Sequence, residues 1–214
     1  MELPLEYRFL APRVKQENQS LLIMLHGYGS DENDLFSFAD QINSKFLIVS
    51  LKAPLPLKMG GNAWYEITYS ETAEKWTNIP QAKSSRDIIL KCIDLIKKEY
   101  KTSKTYLLGF SQGAILSYSL SLTEPSRFEG VLALSGYIEP KLIPDKLEEA
   151  KYPSFFGSHG IQDPVIPIEW ARKAAKLLKS NKIDITYKEY QMAHGINPKC
   201  FRDMANWLQN KGLL

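Results

Sequence analysis

Short, unbroken apolar runs alternate along the chain with longer stretches in which apolar residues return every three or four positions. The 21–25 run is apolar throughout, and 46–50, 104–108, 128–134 and 154–158 read as further buried strands whose few polar residues do not alternate with the apolar ones. That is the pattern of strands buried on both faces, as in a parallel sheet. The 183–190 stretch alternates through Ile183, Ile185 and Tyr187, which fits a half-buried strand near a sheet edge, and 7–10 is a short first strand. Helical spacing appears at 31–43 through Leu35, Phe38, Ala39 and Ile42, and at 81–100 through Ile89, Cys92, Ile93, Ile96 and Tyr100. It returns at 112–122, at 168–178 through Trp170, Ala174, Leu177 and Leu178, and after Pro198 through Phe201, Met204, Ala205 and Leu208. Proline at a first helical position is favoured, because its missing N–H has no partner there anyway. Strands alternating with helices predict an α/β fold with a mostly parallel central sheet and helices on both faces. The chain contains no repeat, low-complexity tract or linker, so residues 1–214 read as one domain.

Two segments depart from the alternation. Residues 138–151 carry Pro140 and Pro144 and read as a surface excursion. Residues 52–79 are long for a connection and hold Met59, Trp64, Tyr65, Ile67, Tyr69 and Trp76 among prolines and glycines. Long loops in compact domains tend to be functional, so this one is the candidate for substrate contact.

The chemistry centres on Gly109-Phe110-Ser111-Gln112-Gly113, between a buried strand and a helix. A Gly-x-Ser-x-Gly turn there thrusts the serine hydroxyl out of the sheet, and the glycines let strand and helix approach. At ordinary composition the three fixed positions recur by chance about once in fifteen chains of this length, so the motif needs support from elsewhere. A serine nucleophile needs a base, and the base needs an acid to fix its tautomer. The chain has three histidines. His26 precedes the serine, against the order Ser, Asp/Glu, His of an α/β-hydrolase sheet. His159 would have to draw its acid from the surface excursion, and reads instead as an anchor for the turn at Asp163. His194 follows the last strand, and Asp163 follows the strand before it. Ser111, Asp163 and His194 therefore stand in the required order, each just past a strand end, where open α/β sheets bind ligands. The oxyanion of a tetrahedral intermediate needs two main-chain N–H donors. One falls to Gln112, at the start of a helix, and the other to the His26-Gly27-Tyr28-Gly29 loop. Because these donors are main-chain groups, the Tyr28 and Gln112 side chains are expected to matter less than the loop conformation.

Four segments in this order, Leu25-His26-Gly27-Tyr28-Gly29-Ser30-Asp31, Gly109-Phe110-Ser111-Gln112-Gly113, His159-Gly160-Ile161-Gln162-Asp163-Pro164-Val165-Ile166-Pro167 and His194-Gly195, resemble the carboxylesterase/phospholipase family that includes the acyl-protein thioesterases. The resemblance covers nearly the whole chain. It implies an α/β-hydrolase fold, a triad of Ser111, Asp163 and His194, and oxyanion N–H groups from Tyr28 and Gln112. It also implies hydrolysis of carboxylic esters, lysophospholipids or palmitoyl-cysteine thioesters with no metal or organic cofactor. Asn62-Ala63-Trp64-Tyr65 resembles the family's Trp-aromatic motif beside the active site. Tyr28 stands where leucine is common in the family and Ala114 where many members have glycine, while 69–80 matches nothing assignable. Met59, Trp64, Tyr65 and Ile67 are the candidate lining of an acyl site; the competing reading is that they tether the loop to the core.

Composition narrows the partners. A formal net charge of +3 without a basic, aromatic-interleaved run argues against nucleic acid. No apolar run approaches the roughly 18 residues that span a bilayer, which leaves peripheral contact as the only expected membrane role. The first residues carry acids and no apolar core, unlike a signal peptide, and Cys92 and Cys200 read as reduced structural thiols of a cytoplasmic protein. Two other readings stay open on the residues: a peptidase or amidase on the same sheet, and a non-catalytic ligand binder.

Overall fold

The computed structural model describes residues 2–17, 19–69 and 75–214, with 68–69 and 75–76 described by backbone alone. Its strands and helices, in chain order, are β1 (Tyr7–Leu10), β2 (Ser20–Leu25), α1 (Ala39–Ile42), β3 (Phe46–Leu51), β4 (Leu55–Pro56), β5 (Asn62–Ala63), β6 (Ile67–Tyr69), β7 (Lys75–Thr77), α2 (Ile79–Tyr100), β8 (Lys104–Phe110), α3 (Gln112–Thr123), β9 (Gly130–Leu134), β10 (Ser154–Gly160), α4 (Ile168–Ser180), β11 (Ile185–Tyr190) and α5 (Pro198–Asn210). Seven of the strands form one sheet in the order β1-β3-β2-β8-β9-β10-β11. β1 pairs antiparallel with β3, and the other pairings are parallel.

The unbroken apolar runs have the double-sided burial that their pattern demands. Leu21, Leu22, Ile23, Met24 and Leu25 are all fully buried. Because side chains alternate across a strand, Leu21, Ile23 and Leu25 enter a core shared with residues of α2, α3 and α4. Leu22 and Met24 enter the opposite core, with Ile42 of α1 and Met204 and Leu208 of α5. β11 lies at the sheet edge, and its residues are mostly half-buried, which explains the alternation in its sequence. α3 is buried along its length from Gln112 to Leu122, the position of a helix that is apolar all round. Two of its serines satisfy their hydroxyls within the helix, Ser117 donating to the Gly113 carbonyl at 2.8 Å and Ser121 to the Ser117 carbonyl at 2.7 Å, while Ser119 donates to the Leu142 carbonyl at 2.7 Å.

Three expectations are corrected. The helix foreseen over 31–43 is reduced to a 3-10 turn at Leu35–Phe38 and the single turn of α1. Polar residues of the segment bond locally instead: ahead of the turn the Asp31 carboxylate accepts from the Asn33 N–H at 2.8 Å, and within it the Ser37 hydroxyl donates to the Asp34 carbonyl at 2.6 Å. Short polar side chains compete with helical bonding in this way. The 52–79 stretch is no plain loop. β4 pairs with β5 and β6 with β7 in two small antiparallel ladders. Of its candidate residues, the side chains of Tyr69 and Trp76 lie outside the described residues, as do residues 70–74 of the unmatched 69–80 stretch. Finally, β8 and β10 run two residues further than the apolar runs, to Phe110 and Gly160, so both end directly at the candidate chemistry.

The β8-to-α3 turn depends on close approach. A β-carbon on Gly113 would lie 1.9 Å from the Leu25 carbonyl oxygen, and one on Gly109 would lie 2.4 Å from the Gly113 carbonyl oxygen. Neither distance is tolerable without moving backbone. Gly113→Ala should therefore cost about 3 kcal/mol, at the upper end of overpacking penalties. For a domain of this size that is roughly 6–12 °C in Tm, readable by thermal melting.

Candidate active site

The parallel strands all end on one edge of the sheet, and the loops leaving β2, β8, β9, β10 and β11 meet there. Ser111 sits in the turn between β8 and α3 with φ 52° and ψ −114°, a backbone conformation that L-residues rarely adopt. Such a residue costs of order 1–3 kcal/mol and persists only where its surroundings over-determine it. Here the Ser111 N–H donates to the Leu134 carbonyl at the end of β9 at 2.9 Å, and the flanking glycines allow the tight packing described above.

Three sequence candidates form one hydrogen-bonded chain. His194 Nε2 lies 2.9 Å from Ser111 Oγ, and His194 Nδ1 lies 2.7 Å from Asp163 Oδ2. The Asp163 carboxylate has no solvent exposure, whereas the His194 side chain is 16% exposed, so the chain opens outward at the imidazole. The Phe110 ring packs 5.0 Å from the His194 ring. With Nδ1–H donating to the carboxylate, Nε2 is left as the acceptor for the serine O–H.

Asp163 is fixed from several sides. Its Oδ1 accepts from the Val165 and Ile166 N–H groups at 2.8 and 3.0 Å, closing a tight turn. His159, fully buried at the end of β10, points Nε2 at the Ile166 carbonyl (2.9 Å) and at Asp163 Oδ2 (3.2 Å). Burial lowers the His159 pKa, which keeps it a neutral donor. Burial opposes the charge on Asp163, but the hydrogen bonds from His194, Ile166 and Val165 outweigh it and hold its carboxyl below the ordinary carboxylate range.

The turn after β2 runs beside the serine: a β-carbon on Gly27 would lie 3.4 Å from the Ser111 β-carbon. Among the described residues, neither the Tyr28 nor the Gln112 main-chain N–H has an internal acceptor, Gln112 being the first residue of α3. His26 faces inward instead. Burial lowers its pKa, its Nδ1 lies 2.7 Å from the Gly27 carbonyl, and its Nε2 accepts from the Ala53 N–H at 3.0 Å. Among the described residues, no cluster of three or more His, Cys, Asp or Glu side chains could hold a metal ion.

The four acyl-lining candidates separate. Trp64 and Tyr65 have no solvent exposure and belong to the core, so they offer no open wall to a ligand. Ile67 packs half-buried against that core, and Met59 is fully exposed. Sequence reading missed the Gln112 side chain. It is buried, with Oε1 accepting from the Trp64 N–H at 2.8 Å and Nε2 donating to the Tyr65 carbonyl at 2.7 Å. Its partners lie 48 and 47 residues away, so no local pattern could announce them.

A parallel sheet with an Asp–His–Ser chain at its carboxyl edge defines the α/β-hydrolase class. The sequence profile of the phospholipase/carboxylesterase family matches residues 11–211, and the chain belongs to that family as an esterase-class hydrolase. It is 28% identical over 223 residues to the acyl-protein thioesterase 1 of Aspergillus fumigatus, covering 94% of this chain and 91% of the relative. It is 31% identical over 158 residues to that of Saccharomyces cerevisiae, covering 69% of this chain and 67% of the relative. Among solved structures, the Bacillus cereus carboxylesterase superposes with a TM-score of 0.82 at 18% identity, covering 97% of this chain and 94% of that one. The esterase PE8 superposes at 0.80 with 24% identity, covering 98% and 99%. Among the described residues, no helix is long and apolar enough to cross a membrane.

The depressed Asp163 pKa has a signed consequence. Stability drawn from its charge is fully present above the unfolded carboxylate value of about 3.9 and is lost as pH falls through the lower folded value. The Tm of the parent minus that of Asp163→Asn should stay flat from pH 7 to roughly pH 5 and fall below pH 4. A difference that does not change with pH would contradict the assignment. The same substitution should lower kcat by about three to four orders of magnitude, since it no longer holds the productive tautomer.

Proposed function

We propose that this chain hydrolyses acyl esters and thioesters through an acyl-enzyme on Ser111, with His194 as general base and acid and Asp163 as its orienting carboxylate. The observation that carries this reading is the hydrogen-bond chain from Asp163 through His194 to Ser111. The relatives named acyl-protein thioesterase 1 support the thioester part. As Ser111 Oγ attacks the carbonyl carbon, its proton passes to His194 Nε2. The carbonyl π electrons move to oxygen, where the Tyr28 and Gln112 main-chain N–H groups receive the negative charge. Tyr28 comes from the turn beside the serine, and Gln112 from the positive end of α3. Collapse of the tetrahedral centre breaks the C–O or C–S bond, and His194 returns the proton to the departing alcohol or thiol. Water then attacks the acyl-enzyme with the same histidine as base, freeing the acid and restoring Ser111.

The acyl group is placed at the exposed rim. Tyr28 is 46% exposed beside the oxyanion turn, and Val165 is 50% exposed two residues after Asp163. Of the loop candidates, Met59 and Ile67 reach the surface and are retained as acyl contacts, whereas Trp64 and Tyr65 act from behind it. The setting we infer is cytoplasmic, with peripheral membrane contact where substrates carry lipid and no nucleic-acid partner.

A fluorophosphonate probe should label the parent stoichiometrically and leave Ser111→Ala unlabelled and inactive on p-nitrophenyl acetate; equal labelling and turnover in the variant would overturn the assignment. A matched series of acyl esters, thioesters and aminoacyl amides should show turnover of the first two classes. Preferential amide cleavage would favour a peptidase, and tight retention without turnover a binding protein.

A further inference from the structure

We infer that the Gln112 side chain, together with the Trp64 indole, is a positioning device that holds the two halves of the oxyanion hole at a fixed spacing. This rests on the reading of Ser111 as nucleophile and of the Tyr28 and Gln112 N–H groups as oxyanion donors. It reverses the expectation that the Gln112 side chain matters little.

The two donors come from separate parts of the chain, the turn after β2 and the start of α3. Residues 62–65 lie between them and bond to both. On one side, the Gln112 amide bridges the Trp64 N–H and the Tyr65 carbonyl at 2.8 and 2.7 Å. A main-chain N–H can only donate and a carbonyl can only accept, so the amide orientation is fixed by its partners. On the other side, the Trp64 indole N–H donates to the His26 carbonyl at 2.9 Å. The Gly29 N–H donates to the Asn62 carbonyl at 2.9 Å, and the Asn62 N–H donates to the Ser30 carbonyl at 2.7 Å. Tyr28 is thus bracketed by residues tied to 62–64. The strap is itself anchored: the Ser85 hydroxyl on α2 donates to the Trp64 carbonyl, and the His26 ring lies 5.4 Å from the Trp64 ring.

The bonds at the Gln112, Trp64 and His26 end of this strap are between buried groups, so breaking one leaves an unsatisfied group in the core, whereas Asn62 and Ser30 are half-buried and Gly29 is exposed. The Tyr28 side of the hole is different. Tyr28 is half exposed and its own N–H has no internal acceptor among the described residues, so its position is set through the strap. Donors in such a site act on the transition state, and a small displacement weakens that state more than the bound substrate.

Steady-state kinetics on p-nitrophenyl acetate test the inference, with a trifluoromethyl ketone as tetrahedral-state analogue and end-point fluorophosphonate titration to count folded sites. Removing one oxyanion donor outright costs about 10²–10³ in kcat, so a displaced donor should cost less. Gln112→Met, near-isosteric but unable to bond, should lower kcat per titrated site by about 10-fold to 100-fold with KM within about twofold, and weaken the analogue by the same factor. Trp64→Phe, which loses the indole bond to His26 together with part of a buried ring, should shift both quantities per titrated site the same way by a smaller factor, its cavity cost appearing as fewer titratable sites. The double variant should lose less than the product of the two factors, because both act on one strap. Parent-like kcat and analogue affinity per titrated site in Gln112→Met would overturn the inference, whatever the loss in titratable sites. If Gln112→Met yields no titratable protein, Trp64→Phe decides on the same two readouts. Activity surviving in Ser111→Ala would instead sink the nucleophile assignment, which separates failure of that reading from failure of this one.

Discussion

The contact of Gly113 against the end of β2 is the constraint on which the other features of the site depend. Only a residue without a β-carbon lets α3 start so close to the Leu25 carbonyl, and that closeness permits the turn at Ser111. The serine then takes a backbone conformation that costs energy, held by its N–H bond to the Leu134 carbonyl and by the strands on either side of β8. The same contact brings the start of α3 beside the 26–30 turn. One close approach therefore places the Ser111 hydroxyl and the two main-chain N–H groups proposed as oxyanion donors.

Around this turn the charges are arranged by burial and by hydrogen bonding. His26 and His159 are fully buried, and desolvation lowers the pKa of each, so both serve as neutral brackets for loops. Asp163 is also fully buried at its carboxylate, yet three hydrogen bonds to its charged form keep it ionised. The His194 imidazole, which exchanges the proton in the proposed reaction, is 16% exposed. A buried anion next to an accessible base is the division of labour that the proposed chemistry requires.

The aromatic pair at 64–65 shows how a residue can belong to a site without lining it. Trp64 and Tyr65 are core residues by burial, and the main chain between them is clamped by Gln112 from the neighbouring helix. Their bulk fixes the strap, and the strap fixes the turn that carries Tyr28. In the proposed reaction, changes behind the rim would move the donors, while changes at Tyr28 or Val165 would alter what reaches them.

The legibility of the chain follows the range of each interaction. Doubly buried strands, amphipathic helices and the strand-end positions of Ser111, Asp163 and His194 are written locally, because burial imposes periodicity and strand ends impose chain order. The 31–43 segment misleads because Asp31 and Ser37 bond within two or three residues, a competition that apolar spacing does not record. The 62–65 strap is invisible for the opposite reason: its partners, His26 and Gln112, lie 38 and 48 residues away. By itself the sequence determined the layered α/β architecture, the sheet edge at which Ser111, Asp163 and His194 gather and the types of group available there. Only the tertiary structure decided that Trp64 and Tyr65 turn inward and that the glutamine beside Ser111 ties the 62–65 strap to the start of α3. Hydrogen bonds between buried groups far apart in the chain exist only once the sheet has brought them within reach.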